Sequence, residues 1–446
     1  MSSDFFIFHT DGKRYIFHGP SCLIFDISAQ QYNCLELNES IEGKQVVLNI
    51  IENSISKHKK KIRYDKNNPS FVPSCVVLNV SGKCNLACKY CFSQDKNGFK
   101  FNSMSVDECI DAISFMIKSN QEENNFTVGF FGGEPMLEEN VVKAVIEECS
   151  SLFPNKNISY SITTNGTLIS DDFIPIIQKH NISLLLSFDG PESIVNSSRP
   201  HKNKKVNTYS AILNTVSSLR KNKIPFSFRA TVIASDCRLM ETIREFEKHK
   251  VPYYLVPCFN SRNENSSVYS EWNPSALSRF LKEYDQAINY FYDRIANNKP
   301  VYCYSFIEKI KEISKQFISR HSCGIGVSLF SVISGGSIFP CMNMATRPET
   351  AIGNIYSGIE DSKRQKFLPF DIEEQPKCQS CLIRYQCSGG CFSERYDSLS
   401  NRIQDPDFEM CELKTAMWKM EIQAFQRIKN NHPTFLDNLP ATDNIE

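Results

Sequence analysis

Charge of one sign is missing from this sequence: its 446 residues carry 50 Lys and Arg against 50 Asp and Glu, a formal net charge of zero. A chain so balanced has no global field to recruit nucleic acid or an anionic membrane, and a nucleic-acid role would need a local basic patch. Long apolar runs are missing too, since none approaches the roughly 18 residues of a membrane span. The first residues, MSSDFFIFHTDGKRY, contain no basic segment leading into an apolar one, so no secretory signal is read and a cytoplasmic location is expected. Internal repeats and low-complexity tracts are also lacking. What is present is apolar material: hydrophobic residues make up 41%, with 32 Phe and 17 Tyr, which supplies sizeable cores and excludes a disordered chain. The length allows about three domains of ~150 residues, or one large barrel with appendages.

Cysteine stands out, with 18 residues. In a reducing compartment disulfides are not the expected use, which leaves metal binding or redox chemistry. Spacing sorts them. Cys84, Cys88 and Cys91 form CxxxCxxC; Cys378, Cys381, Cys387 and Cys391 form Cx2Cx5Cx3C; Cys323 and Cys341 enclose Gly336; Cys411 follows alone. The other eight, Cys22, Cys34, Cys75, Cys109, Cys149, Cys237, Cys258 and Cys303, read as small buried hydrophobes.

Along the chain, residues 1–68 read as a small α+β unit, with β-prone runs FFIFHT, RYIFH and CLIFDIS broken at Asp11-Gly12 and Gly19-Pro20. A charged tract from Lys57 to Arg63 runs into Asn67, Asn68 and Pro69 and reads as a solvated helix end and linker, with binding of an acidic peptide as the alternative. Residues 75–300 alternate strand and helix. The strand candidates are Val76 to Val80, Val128 to Phe131, Tyr160 to Thr163, Leu184 to Phe188, Phe226 to Val232 and Tyr253 to Val256. Helix starts are marked by a capping box at Ser105 and Glu108 and by Asn273 before Pro274. Such alternation calls for parallel strands and crossover helices, an α/β fold built as a partial (β/α)6 barrel of TIM type, with functional groups at the strand ends. Residues 320 to about 415 are loop-rich and cysteine-rich, a segment to be held by something other than a large core. The tail after residue 430 reads as frayed.

Three thiolates on one loop after the first strand, in SGKCNLACKYCF, are the informative number. A structural zinc site is closed by four ligands, so three leave either a distant fourth or a vacant metal position, and spacing alone leaves cluster, zinc and idle thiols open. The run resembles the signature of the radical S-adenosylmethionine (SAM) superfamily, with Tyr90 as the aromatic residue before the third cysteine. The likeness continues along the barrel. Gly132, Gly133, Glu134 and Pro135 match the GGEP motif after the second strand; Asn165 lies in TTNG after the third; Ser187 opens SFDGP at the fourth; Arg199 matches the arginine that follows. The resemblance implies a [4Fe-4S] cluster on Cys84, Cys88 and Cys91. It further implies SAM bound by Tyr90 and the GGEP residues, whose acceptors suit an ammonium group, and by polar contacts from Asn165, Ser187 and Arg199, the guanidinium being available to SAM's carboxylate. The activity implied is reductive cleavage of SAM to methionine and a 5′-deoxyadenosyl radical, which abstracts hydrogen from a substrate, with the electron coming from a donor such as a flavodoxin or ferredoxin.

The carboxyl-terminal cysteines resemble the SPASM extension of these enzymes along its whole length, including Gly389 and Gly390 before Cys391. Paired zinc ribbons are the alternative, although Cx2Cx5Cx3C is not the usual zinc spacing. The resemblance implies two auxiliary [4Fe-4S] clusters, three clusters in all: an outer one on Cys378, Cys381, Cys387 and Cys411, and an inner one on Cys323, Cys341 and Cys391. Residues 324–340 contain no additional cysteine, so the inner cluster is expected to have an open iron unless a spare cysteine such as Cys303 fills it. An open iron could bind a substrate cysteine and hold its sulfur beside a carbon radical, the arrangement of maturases that install thioether bridges in ribosomally made peptides. The amino-terminal unit resembles the winged-helix element that binds the leader of such precursors by strand addition. The expected partner is therefore a Cys-containing precursor peptide with a leader, and no membrane or nucleic acid. Other outcomes on a peptide or protein stay open, namely carbon–carbon crosslinking, decarboxylation or oxidation of a sulfatase Cys or Ser, as does an iron–sulfur electron-transfer protein without SAM chemistry. No spacing isolates a catalytic acid or base.

Overall fold

The computed structural model describes residues 4–36, 41–56, 61–62, 70–91, 101–259, 272–368, 371–397 and 400–439. Apart from residues 61–62, the charged tract from Lys57 to Arg63 lies outside them, as do Asn67, Asn68 and Pro69. The chain begins with an antiparallel meander of β1 (Phe5–Thr10), β2 (Lys13–His18) and β3 (Leu23–Ile27). Its first turn is Asp11-Gly12, with φ of 51° and 73°, the doubly left-handed geometry that a two-residue hairpin requires. Helices α1 (Ala29–Glu36) and α2 (Ile41–Ser56) follow. Strand alternation divides the side chains. Phe5, Ile16 and Ile27 pack with Leu35, Val47, Leu48 and Ile51, while Phe8, Tyr15 and Phe17 on the other face join the main core. A short strand β4 (Lys61–Ile62) comes next.

The barrel runs β5 (Cys75–Ser81), α3 (Val106–Ser119), β6 (Asn125–Gly132), α4 (Glu139–Leu152), β7 (Asn157–Thr164), α5 (Ile174–His180), β8 (Ser183–Ser187), α6 (Glu192–Ser198), α7 (Thr208–Lys221), β9 (Ser227–Val232), α8 (Leu239–His249) and β10 (Tyr253–Pro257). Both halves of the capping box form: Ser105 accepts from the Glu108 N–H, and Glu108 accepts from the Ser105 N–H. β5 to β10 pair in parallel, in chain order. Every motif loop therefore opens at the same end. On the outer face Phe188 and Phe228 lie 4.8 Å apart and stack on Phe246 of α8, so their neighbours in sequence at the strand ends face the interior.

Helix α9 (Pro274–Ala296) starts as expected, with Asn273 accepting from the Ala276 N–H. The rest of the chain is α10 (Tyr304–Ser314), β11 (Phe317–Ile318), β12 (Leu329–Val332), β13 (Ser337–Phe339), β14 (Gly353–Asn354), β15 (Gly358–Ile359), α11 (Asp361–Arg364), α12 (Pro376–Gln379), α13 (Arg384–Cys387), α14 (Phe392–Arg395), β16 (Tyr396–Asp397), β17 (Arg402–Ile403), α15 (Phe408–Asn431) and α16 (Pro433–Asp437). This region is loop-rich, and its short strands also extend the barrel sheet: β12 lies parallel to β5, with Leu329 opposite Cys75, and β13, β14 and β15 continue antiparallel to make ten strands. The seam is fixed by the buried Asn79, whose amide donates to Ser331 Oγ at 2.6 Å and the Val332 carbonyl at 3.1 Å. β4 pairs with β11. The tail read as frayed makes α16 instead, because Pro433 sits at its start and Phe435, Leu436 and Leu439 pack on the main core. No helix among the described residues is long and apolar enough to cross a membrane.

Candidate functional site

The loop after β5 is pinned from two sides by backbone hydrogen bonds. The Gly133 N–H donates to the Ser81 carbonyl at 2.7 Å and the Glu134 N–H to the Lys83 carbonyl at 2.8 Å. From the far side, Ala87 N–H donates to Pro200, Lys89 N–H to Ser198, and Lys202 N–H to Asn85, all at 2.8–2.9 Å. Gly132 has φ of +123°, and a Cβ there would come within 2.5 Å of the Ser81 carbonyl, so glycine is required for this approach. Cys84, Cys88 and Cys91 are all half-buried and lie within mutual electrostatic influence. Burial pushes the Cys84 thiol up to about 11 and the Cys88 thiol up to about 12. Losing those protons must be coupled to metal binding.

Each motif residue is tied into the same frame. The buried Glu134 carboxylate accepts from the Thr164 hydroxyl at 2.5 Å, the Asn165 N–H at 2.7 Å and the Met136 N–H at 3.1 Å, so it joins the ends of β6 and β7. Burial nevertheless lifts it to about 7, the three donors opposing. Pro135 begins the short turn behind it. The Asn165 amide donates to Asn85 Oδ1 at 2.8 Å and approaches Cys84 Sγ at 3.9 Å. Asp189 gathers the remaining side. Its carboxylate accepts from Tyr90 Oη at 2.5 Å, Ser198 Oγ at 2.7 Å, Arg199 Nε and Nη2 at 2.9 and 3.0 Å, and the Thr231 N–H at 3.0 Å. Arg199 also lies 5.2 Å from the centre of the Tyr90 ring. Two of its nitrogens are thus committed to a buried bidentate ion pair that ties the cysteine loop to β8 and β9.

One residue escaped sequence reasoning. Arg229 stands opposite Ser187 in the β8–β9 ladder, on the interior face. Its side chain is exposed, while the surrounding protein and the nearby Arg199 lower its pKa, which places it in the wall of an internal cleft rather than in a packed core. It feels Tyr90 on one side and Cys391 and Glu394 on the other. Neither its guanidinium nor the half-buried Ser187 hydroxyl hydrogen-bonds a described side chain. The signal in the sequence was a lone charge at an inward position of FSFRATV.

The carboxyl-terminal cysteines separate into two sets. Cys341 and Cys391 influence each other, and both feel the exposed Cys323; burial holds them near 12 and 11 respectively. Cys378, Cys381, Cys387 and Cys411 influence one another, with burial holding Cys378 and Cys411 at about 11. Cys303 belongs with neither: it is buried beside Tyr253, Tyr284, Glu247 and Glu421. Among the described residues no three His, Cys, Asp or Glu side chains meet closely enough to hold one metal ion. A cubane cluster spreads its ligand sulfurs wider than a single ion does, so thiols grouped but not touching suit it.

A parallel partial barrel with three thiols on the loop of its first strand defines a radical SAM domain, and the Radical SAM superfamily model matches residues 78–249. The chain is an enzyme that uses radical chemistry, and the domain calls for a [4Fe-4S] cluster and SAM. Among curated relatives, it is 26% identical over 334 residues to the cysteine-type anaerobic sulfatase-maturating enzyme of Clostridium perfringens, covering 71% of this chain and 88% of that one. Among solved structures, native anSMEcpe with bound AdoMet superposes with a TM-score of 0.69 at 21% identity, over 80% of this chain and 100% of that one. Streptococcus suis SuiB bound to precursor peptide SuiA gives 0.54 at 15% identity, over 91% and 98%. At these identities the two structures establish the fold.

Proposed function

We propose that this enzyme installs thioether crosslinks, Cys sulfur to carbon, in a ribosomally synthesised precursor peptide. The observation that carries the reading is the inner set of Cys323, Cys341 and Cys391: three thiols, with Cys303 packed elsewhere. Three protein ligands would leave an open corner for a substrate sulfur. The likeness in fold to SuiB, solved with precursor peptide SuiA bound, supports a peptide substrate. When loaded, the first cluster and SAM supply a carbon-centred radical that takes hydrogen from the substrate, with a flavodoxin or ferredoxin as the electron source.

The protein's own residues would position these groups. Cys84, Cys88 and Cys91 hold the first cluster, and Cys378, Cys381, Cys387 and Cys411 the outer one. Gly132, Gly133, Glu134, Pro135 and Asn165 form the floor beneath the methionine part of SAM. Since Arg199 is engaged with Asp189, we place SAM's carboxylate on Ser187 and Arg229, with Arg199 and Tyr90 positioning the wall behind them. Arg229→Met is then expected to weaken SAM binding at least about tenfold at unchanged iron content, measured by calorimetry on the reconstituted enzyme, because a charge-assisted contact contributes about 1.5–3 kcal/mol. The leader would add to β3, which pairs only with β2 among the described strands. In this arrangement residues 1–68 recognise the leader, 75–300 form the radical SAM barrel and 320–430 the SPASM domain.

The sulfatase-maturating relative, matched over 88% of its length, favours a second reading, oxidation of a sulfatase Cys or Ser. Incubating reconstituted enzyme, reductant and SAM with a Cys-containing precursor peptide encoded beside it tests the choice by mass. Thioether formation removes two hydrogens per bridge, one carried off by 5′-deoxyadenosine and one released as a proton, with one electron passed on. An unchanged precursor peptide while SAM is cleaved, together with a modified sulfatase peptide, would overturn the first reading.

A further inference from the structure

One cation near the carboxyl-terminal thiols has no hydrogen-bonding or ion-pair partner among the described residues. Lys414 lies on α15, three residues beyond Cys411, and is half-buried. The nearest ring to its ammonium, Phe259, is centred 5.6 Å away. Its charge is instead felt by both sets: by Cys387, then Glu394, then Cys391 of the inner set and Cys411 of the outer, which lies one helical turn back on α15. The glycine before Cys391 makes room for it, since a Cβ on Gly390 would stand 3.1 Å from Nζ. Gly390 has φ of +77°, a conformation that disfavours side chains.

The neighbouring cations are placed differently. Arg395 faces Cys378, Cys387 and Cys411 and is occupied by the carbonyls of Gly389 at 3.0 Å and Gln404 at 2.7 Å. Arg347 faces Cys341 and Cys391, and donates to the Ser393 carbonyl at 3.3 Å. Each serves one set. Lys414, beside Gly390 and one helical turn from Cys411, addresses both. A lysine ammonium, with an ordinary pKa of about 10.4, carries its charge at neutral pH.

We propose that Lys414 is a fixed positive charge shared by the two auxiliary clusters, raising both reduction potentials together so that the pair accepts the electron released when the substrate carbon–sulfur bond forms. The proposal rests on the assignment of these cysteines as cluster ligands. Its physics is Coulombic: a thiolate-bound cluster gains one negative charge on reduction, and a nearby cation in a medium of low dielectric stabilises that state. Lys414 acts through the clusters and is a positioning residue, not a catalytic one.

Redox titration of the full-length, anaerobically reconstituted enzyme, followed by electron paramagnetic resonance with iron counted in each sample, tests this. Lys414→Met should keep about twelve irons per chain and shift the midpoints of both auxiliary clusters downward, with the first cluster unmoved; Lys414→Arg should restore them. Midpoints in Lys414→Met equal to wild type, with the iron retained, overturn the role of Lys414. Should Lys414→Met shed iron, Lys414→Gln is titrated in its place, and unshifted midpoints there overturn it equally. Wild-type enzyme with only four irons and no auxiliary signals overturns the ligand assignment itself, a separate failure.

Discussion

Cys88→Ala is expected to abolish reductive SAM cleavage, with 5′-deoxyadenosine falling at least ~1,000-fold and iron falling by about four per chain. Burial, opposed by Arg199 and aided by the two sister thiols and Asp189, holds the sulfur protonated until metal arrives. The loop itself does not depend on that atom. Its backbone is held through Ala87 to Pro200, Lys89 to Ser198 and Lys202 to Asn85, and Tyr90 is anchored on Asp189. The variant should therefore fold and melt like the wild-type apoprotein while failing to load its first cluster. Chromatography of the nucleoside product and iron counting check both halves. Retained cleavage in the variant would remove CxxxCxxC from the mechanism.

Cys391→Ala should do the opposite. SAM cleavage continues, because nothing at the first loop changes, but crosslinked peptide falls at least ~100-fold and iron again falls by about four. Cys391 sits directly before α14, half-buried and within electrostatic influence of Cys341 and Cys323, and Arg229 feels Cys391 as well as Tyr90 and Arg199. It is thus the thiol of the inner set that electrostatically adjoins both the extension and the barrel wall. Mass spectrometry of the peptide, run in parallel with 5′-deoxyadenosine yield, separates the two steps. A crosslinked product from Cys391→Ala would show that bond formation needs no inner cluster.

Much of the barrel was legible because its signals are local. Each strand run between Val76 and Val256 carries its own apolar residues and its own boundaries, and the observed strands differ from the expected ones by a few residues at their ends. The Ser105 capping box and the Asp11-Gly12 turn are likewise written in four residues or fewer. What was not legible depends on partners distant in sequence. β12 and β13 are four and three residues long, too short to show a period, and exist because β5 offers a free edge. Arg199 reads as a ligand-binding cation until Asp189 is seen to occupy it, and Arg229 reads as an ordinary charge until the ladder places it beside Ser187. The cysteine sets fall between these cases: spacing fixes their order, but only folding separates Cys303 from Cys323 and Cys341.

The seam at Asn79 has a consequence for how the chain is made. β5, which carries the first cysteine loop, takes one neighbour from β6 and the other from β12, and Asn79 reaches a hydroxyl 252 residues further along. During synthesis one side of that strand stays bare, with its backbone donors and acceptors unpaired and open to pairing with another nascent chain, until the ribosome has delivered almost three-quarters of the polypeptide. Closure of the edge that carries the first cysteine loop is thereby set by a segment that the barrel itself does not contain.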